Sequence, residues 1–110
     1  MARNIQALTA VMEDGRWKHL ALAGDEYVVF TDEGIKDGPG SIARKWSFLP
    51  NRFQSNIDAA AVVGQDDGWH YTFIKGNERV VFTDKKILDG PSSVTDKWPF
   101  LKDFLQGVYA

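Results

Sequence analysis

A repeat within the chain restricts its fold more than any other feature of the sequence. The segment YVVFTD at 27–32 returns as RVVFTD at 79–84, IKDGP at 35–39 as ILDGP at 87–91, and KWSFL at 45–49 as KWPFL at 97–101. The copies are separated by a constant 52 positions, as Trp17 is from Trp69. Identities at one fixed offset indicate a duplication. We predict two copies, at 4–55 and 56–107, that together form one structural unit.

Each copy reads as four strands followed by a short helix. In the second copy the strand patterns lie at 57–63, 69–74, 79–83 and 86–88. The first is a run of small apolar residues, which predicts a strand buried on both faces. Gly76 and Asn77 predict a tight turn between the second and third strands. We expect the fourth strand to be short and to end at Asp89-Gly90-Pro91.

A short helix is predicted to follow the strands in each copy. Ser93, with Asp96 three residues later, has the pattern of a capping box, and Ser41 occupies the same place in the first copy. Val94 and Trp98 are four residues apart, so both are expected to point inward, as is Trp46. Pro99 limits the length of the second helix.

Four short strands and a helix in about 50 residues are typical of one propeller blade. The motifs IDAA at 57–60, KG at 75–76, TD at 83–84, DGP at 89–91 and WPFL at 98–101 follow in order. This order resembles the hemopexin-like repeat, and most closely that of the plant albumin-2 seed proteins. The resemblance implies an all-β chain with short helices, made of two hemopexin-like β-propeller blades.

The number of blades predicts an oligomer. The family that the chain resembles has four blades, whereas this sequence holds two. Two blades cannot close a ring, and each would leave an apolar flank exposed to water. A homodimer that forms a four-bladed propeller would cover both flanks.

Composition excludes several classes of function. Thirteen basic and fifteen acidic residues give a net charge of −2, which argues against a non-specific nucleic-acid binder. The apolar run at 7–12 is too short for a signal sequence or a membrane span. There is no cysteine, which excludes disulfides and thiolate metal sites. We therefore expect a soluble, cytoplasmic protein with neither a nucleic acid nor a membrane as partner.

No group of residues in the sequence has the pattern of a catalytic site. There is no cysteine nucleophile and no Gly-x-Ser-x-Gly motif. The two histidines, His19 and His70, lie at non-equivalent positions of the repeat. We predict that the protein is not an enzyme.

The candidate ligand site lies around the second of two equivalent tryptophans. Trp17 and Trp69 each follow a loop that is rich in charge, and an aromatic face beside carboxylates is typical of sugar recognition. The alternative is that both indoles pack between blades. We expect Trp69 to matter more than Trp17, since more polar and aromatic side chains surround it. The candidate ligand-binding residues are Asp14, Trp17, Asp66, Asp67, Trp69, His70 and Tyr71.

The resemblance also implies an axial cation. Asp58 and its counterpart Gln6 begin the strands that should line the central channel, where the family binds Ca²⁺ or Na⁺ through main-chain carbonyls. The alternative is that these side chains cap neighbouring amides. The resemblance further implies a carbohydrate, a polyamine or haem as ligand. Haem is the least favoured because the histidines are not clustered. The function predicted is that of a lectin-like carbohydrate binder. The alternatives are a polyamine or haem binder and a structural, storage or protein-interaction module.

Overall fold

The computed structural model describes residues 3–107 and contains two four-stranded antiparallel sheets, each with its strands in sequence order. The first sheet consists of β1 (Ala7–Glu13), β2 (Arg16–Ala23), β3 (Glu26–Thr31) and β4 (Gly34–Ser41). The second consists of β5 (Ala59–Gln65), β6 (Gly68–Lys75), β7 (Glu78–Phe82) and β8 (Ile87–Ser93). This is the predicted pair of blades, which we call blade 1 and blade 2.

The helices are short and follow the last strand of each blade. They are α1 (Ile42–Lys45), α2 (Val94–Lys97) and α3 (Lys102–Gln106), with single 3₁₀ turns at Asn51–Phe53 and Pro99–Leu101. No helix within residues 3–107 is long and apolar enough to cross a membrane. The Ser41 hydroxyl caps α1 by accepting from the Arg44 amide at 3.2 Å. Ser93 occupies the same position before α2 but bonds Asn77 and Thr95 instead, so the predicted capping box is not formed.

Two strand predictions are corrected by the structure. The fourth strand of blade 2 does not end at Asp89-Gly90-Pro91 but continues to Ser93. A register shift opposite Val81 and a positive φ of 87° at Gly90 let the edge strand pass through this segment and resume its pairing. The inner strand β5 is not buried on both faces, because Ala59, Ala61 and Val63 are exposed along one of them.

The inner strands of the two blades lie side by side. The Val62 amide of β5 donates to the Thr9 hydroxyl of β1 at 3.1 Å, and the Asn56 amide donates to the Gly24 carbonyl at 2.9 Å. Strands β1 and β5 therefore form the centre of the molecule, and the outer strands β4 and β8 lie at its periphery.

The core fills the space between the blades and is organised around Trp46. This side chain is fully buried, and its ring lies 5.0–5.6 Å from four aromatic rings, those of Tyr27, Tyr71, Phe73 and Phe82. Three of these belong to blade 2, so the residue that directly follows α1 of blade 1 supplies the side chain that joins the sheets. Burial of a Trp among aromatic rings makes this a large hydrophobic contact between the two blades.

Equivalent positions of the repeat are not equally buried. Phe53 is 0 % exposed but its counterpart Leu105 is 52 % exposed, and Ile57 is 1 % exposed but its counterpart Ile5 is 57 % exposed. Phe100, the counterpart of the half-buried Phe48, is 72 % exposed. Trp98, which was expected to point inward, is only half-buried because no further sheet within residues 3–107 covers it. The residues that seal the junction between blades thus have exposed counterparts at the two ends of the molecule.

Candidate functional site

A cleft of about 370 Å³ opens between the two blades, and we call it the interblade cleft. Blade 1 supplies five of its six charged side chains, and blade 2 supplies the sixth, Asp84, with both aromatic rings. The lining residues are Glu13, Lys18, Val29, Lys36, Asp37, Lys45, Gly68, Trp69, Tyr71 and Asp84. Three carboxylates and three ammonium groups face a cavity that also exposes an indole. Such a cleft can both stack against a ligand and exchange hydrogen bonds with it.

Trp69 is fixed in this cleft by a residue of the other blade. Its indole N–H donates to Glu13 Oε2 at 2.7 Å, and its ring meets Tyr71 edge-on at 6.2 Å. Glu13 ends β1, and Trp69 lies near the start of β6. These strand ends meet because β1 and β5 are neighbours. The indole is half-buried, so it contributes to packing between blades and also forms part of the cleft wall.

Two further carboxylates are held in place around the cleft. Asp84 Oδ1 accepts hydrogen bonds from the Trp46 indole N–H and the Tyr71 hydroxyl, both at 2.9 Å. Asp37 accepts from Lys45 Nζ at 2.9 Å and from the Tyr27 hydroxyl at 3.2 Å. Each carboxylate is thus held in a fixed position. Within residues 3–107, both hydrogen bonds to Asp84 come from neutral donors.

The protonation states of the cleft follow from these contacts. The hydrogen bond from Lys18, with that from Trp69, lowers the pKa of Glu13. The hydrogen bond from Lys45 lowers the pKa of Asp37. Burial raises the pKa of Tyr71, and the nearby Asp84 carboxylate adds to this. At neutral pH the cleft therefore presents ionised carboxylates beside a phenol that remains a donor.

A second, smaller cavity of about 180 Å³ also borders Trp69. Asp67, Gly68, Asp84 and Leu88 are among its other lining residues. Gly68, Trp69 and Asp84 thus contribute to both cavities.

The other predicted residues around Trp69 divide between loop and core. Asp67 is exposed and lies 2.8 Å from His70 Nε2, a contact that lowers the pKa of Asp67. Tyr71 is buried in the core, with its hydroxyl directed at Asp84. Asp66 is exposed in the β5–β6 turn, and Asp14 is exposed in the corresponding turn of blade 1 with a positive φ of 55°.

Trp17 lies apart from this cleft. It is 55 % exposed and lines a separate open cavity of about 330 Å³ with Arg16, Asp32 and Glu33 of blade 1. Arg16 forms an ion pair with Glu33 there. The structure therefore brings Trp69, Tyr71 and Asp84 together but leaves the two repeat-equivalent tryptophans at separate sites.

The two candidate axial residues occupy equivalent positions and cap equivalent turns. Gln6 Oε1 accepts from the Gly24 amide at 2.9 Å, and Asp58 Oδ2 accepts from the Gly76 amide at 2.7 Å. Because both side chains serve the backbone, only main-chain carbonyls are left for a cation. Over residues 3–107, no group of three or more His, Cys, Asp or Glu side chains could hold a metal ion.

The charged residues of the cleft were all missed by analysis of the sequence, namely Glu13, Lys18, Lys36, Asp37, Lys45 and Asp84. Five of them belong to blade 1, more than 20 residues from Trp69 in the chain. The repeat offers one usable signal. Adjacent blades must face each other, so residues at the end of β1 and at the start of β6 could have been considered together as one site.

As a sequence, the chain matches no protein-family model and no curated protein. As a structure, it is similar to several solved plant proteins. A Cicer arietinum lectin with two metal-binding sites superposes with a TM-score of 0.74 at 18% identity, covering 93% of this chain and 50% of the lectin. A Cicer arietinum albumin that shows hemagglutination gives 0.72 at 18% identity, covering 90% and 48%. The hemopexin fold protein CP4 from cow pea gives 0.71 at 20% identity, covering 89% and 45%.

The chain spans about half the length of the solved structures it matches. Each of its two sheets has the strand order and the following helix expected of one blade. The resemblance that the repeat motifs carry is therefore confirmed at the level of the fold: the chain has the hemopexin fold, in a form of two blades.

Proposed function

We propose that this protein is a non-catalytic, lectin-like binder that recognises a carbohydrate in the interblade cleft. The observation that carries the proposal is Trp69, half-buried and hydrogen-bonded to Glu13, in the wall of a cleft that holds three carboxylates and three ammonium groups. The similar solved proteins include a lectin and a hemagglutinating albumin. Both facts support a binding role without a chemical step.

The chemistry of the cleft suits a polyhydroxylated ligand. A sugar ring presents an apolar face, which stacks on an indole, and hydroxyl groups that both donate and accept. Glu13, Asp84 and Lys45 supply fixed acceptors and a donor around Trp69. Because the positive and negative groups balance, the cleft does not favour an ionic ligand such as a polyamine.

Substitution of Trp69 tests the proposal. A glycan array with the unaltered protein identifies a ligand, and its affinity is then measured for Trp69→Ala. Loss of a stacking aromatic from a small site costs about 1–3 kcal/mol, so we expect affinity to fall about ten- to a hundredfold. Trp69→Phe retains an aromatic face but loses the hydrogen bond to Glu13. We expect its affinity to lie between those of the unaltered protein and Trp69→Ala.

As a control for correct folding, the melting temperature of the same samples is measured. An unchanged affinity for Trp69→Ala, in a protein that still melts cooperatively, contradicts the proposed site. If Trp69→Ala does not fold, the comparison with Trp69→Phe decides the matter, since that variant retains most of the packing.

We further propose that two copies close into a four-bladed ring. The chain spans about half of each similar structure, and its two ends expose Ile5, Phe100 and Leu105, which correspond to residues sealed at the junction between blades. Burial of these side chains against a second copy is the simplest way to remove them from water. The ring is the form in which we expect the protein to bind its ligand.

The ring would also direct four inner strands at one axis, where we propose a bound cation, Ca²⁺ or Na⁺. Main-chain carbonyls at Gln6 and Asp58 would hold it, since their side chains cap turns. Oxygen-only coordination with water is what Ca²⁺ prefers. We expect a crystal grown with millimolar calcium to show the ion on the two-fold axis. A well-ordered axis that holds only water contradicts this site.

A further inference from the structure

Ring closure would do more than cover apolar surface, because it would repeat the interblade junction between the two copies. We infer, on the basis of the proposed ring, that each junction between copies forms a second ligand cleft, shared by the two chains and built around Trp17. We call it the shared cleft. Its parts are already present at the two ends of one molecule.

The first part is an apolar cavity on the outer face of blade 1. Its volume is about 140 Å³, and it is lined by apolar residues that include Ile5, Ala21 and Phe30 and also by the ion pair of Arg3 and Glu26. In blade 2 the corresponding face is the one that receives Trp46. An apolar cavity of about 150 Å³ accommodates an aromatic ring. Trp98 of a second copy, the counterpart of Trp46, fits this position.

The second part is an acceptor for the indole N–H of Trp98. Within the chain, Trp46 donates to Asp84 at 2.9 Å. The counterpart of Asp84 is Asp32, which is exposed beside Trp17. Trp98 is already oriented by Arg79, whose guanidinium lies 5.3 Å from the indole ring. Docking therefore requires little ordering of this side chain.

The third part is the aromatic wall. His19 stacks on Phe30 at 5.0 Å and 21°, as Tyr71 stacks on Phe82 at 5.1 Å and 16°. His19 thus occupies the place of Tyr71, and Trp17 that of Trp69. In an isolated chain Trp17 faces an open cavity. A second copy would supply the missing wall.

The opposite wall would come from blade 2 of the second copy. Asp89 is held by Arg79 at 2.7 Å, as Asp37 is held by Lys45 at 2.9 Å within the chain. Lys97 lies 3.7 Å from Asp89. The carboxylate and ammonium of this wall are therefore in place before assembly.

The chemistry of the shared cleft differs from that of the interblade cleft. Gln65 and His70 take the positions of the Glu13–Lys18 ion pair, and Leu88 takes the position of Lys36. Arg16 replaces Gly68 but is paired with Glu33. With fewer fixed charges and an exposed indole, the shared cleft suits an uncharged, polyhydroxylated ligand, a neutral saccharide.

The test uses the full chain labelled with 5-fluorotryptophan, whose four indoles give separate fluorine resonances assigned by single Trp→Phe variants. Phe100→Asp is the matched control, since Phe100 is 72 % exposed in the chain and corresponds to Phe48 at the junction within the chain. We expect Phe100→Asp to be monomeric. The fluorine resonances of Trp17 and Trp98 should then differ from those in the ring, whereas the resonances of Trp46 and Trp69 should stay unchanged.

Lactose, maltotriose and chitotriose are then titrated into both samples. We expect at least one of them to shift the Trp17 resonance in the ring, with an apparent Kd at least tenfold weaker in Phe100→Asp. A dimer whose Trp17 resonance matches that of the monomer overturns the shared cleft but leaves the two-copy state intact. Failure of all three saccharides to move Trp17, or an equal response in the monomer, also overturns it.

The test also separates this inference from the proposals on which it rests. Unaltered protein that is monomeric overturns both the ring and the shared cleft. The interblade cleft is followed independently at the Trp69 resonance, which reports on the proposed carbohydrate site whatever happens at Trp17.

Discussion

At the scale of single residues, Asp84 illustrates how one exposed side chain can support a buried core. Its Oδ1 atom accepts from Trp46 and Tyr71, whose side chains lie in the core. Both donors belong to large aromatic groups that are removed from water. If the acceptor is lost, the indole N–H and the phenol O–H of two buried side chains lose their partner, and water in the cleft replaces it only in part.

We therefore predict that Asp84→Ala destabilises the protein by about 2–3 kcal/mol, since each buried donor left unsatisfied costs about 1–3 kcal/mol and water recovers part of this. Asp84→Asn retains an accepting oxygen and should cost about 1 kcal/mol or less. Urea unfolding followed by tryptophan fluorescence measures both. Asp66→Ala, at an exposed turn position, is the control and should be neutral. If Asp84→Ala unfolds at the same urea concentration as this control, the two hydrogen bonds do not stabilise the core.

The partners of individual residues were the least predictable part of the site. The sequence places Asp66 and Asp67 beside Trp69, but the carboxylate that accepts from its indole is Glu13, 56 residues away. Local spacing predicts contacts within a turn, such as that of Asp67 with His70. It does not predict which strand ends from different blades meet, because that depends on how the sheets are packed.

At the scale of elements, the two copies of the short helix show that one motif can serve two purposes. Helices α1 and α2 end before Trp46 and Trp98, and both have the same main-chain bond from the tryptophan amide back to the first helical carbonyl. Trp46 is fully buried against blade 2, whereas Trp98 is half-buried against Arg79. The neighbouring sheet that covers Trp46, rather than the sequence of the helix, accounts for the difference.

This difference predicts unequal costs for the same substitution. Trp46→Ala should destabilise by about 3–5 kcal/mol, the usual cost of removing a large buried aromatic side chain. Trp98→Ala should cost about 1 kcal/mol or less, since it removes one cation–π contact and partial burial. Both are measured by urea unfolding in the Phe100→Asp background, which removes the contribution of a second copy. Should Trp46→Ala not fold, Trp46→Phe takes its place. Equal costs for the two positions contradict the packing described here.

The elements themselves were largely predictable from the sequence. Aromatic and β-branched segments such as 69–74 and 79–83 form strands, and the Gly76–Asn77 turn joins β6 and β7 as expected. The errors have identifiable causes. A β-bulge lets β8 pass through Gly90 and Pro91, which are usually signs of a strand end. The apolar composition of β5 predicted burial on both faces, but only one face packs on the core, and the other would be covered only in the proposed ring.

At the scale of the whole molecule, the exposed counterparts of buried residues predict assembly. Two junctions of the kind that joins the blades would bury a total area of order 2,000 Å² or more, which is typical of stable homodimers. We predict that light scattering at micromolar concentration gives twice the chain mass of 12.4 kDa. Phe100→Asp, which places a carboxylate at the closing junction, should give the single-chain mass. A mass near 12.4 kDa for the unaltered protein contradicts the two-copy ring.

The two ends of the molecule are unlike each other, and each resembles one side of the junction between the blades. In the terms of polymer chemistry, a chain that associates through both ends, as proposed, would be a bifunctional monomer, and every encounter would lead either to cyclisation or to chain growth. A ring of two copies would stop growth, because it covers both end surfaces of each chain. Its second contact would form at a high effective concentration. If the angle between the blades were opened by a few degrees, the same contacts would instead produce open filaments. In the proposed ring, the packing around Trp46, which fixes that angle within the chain, would thus also control the degree of polymerisation.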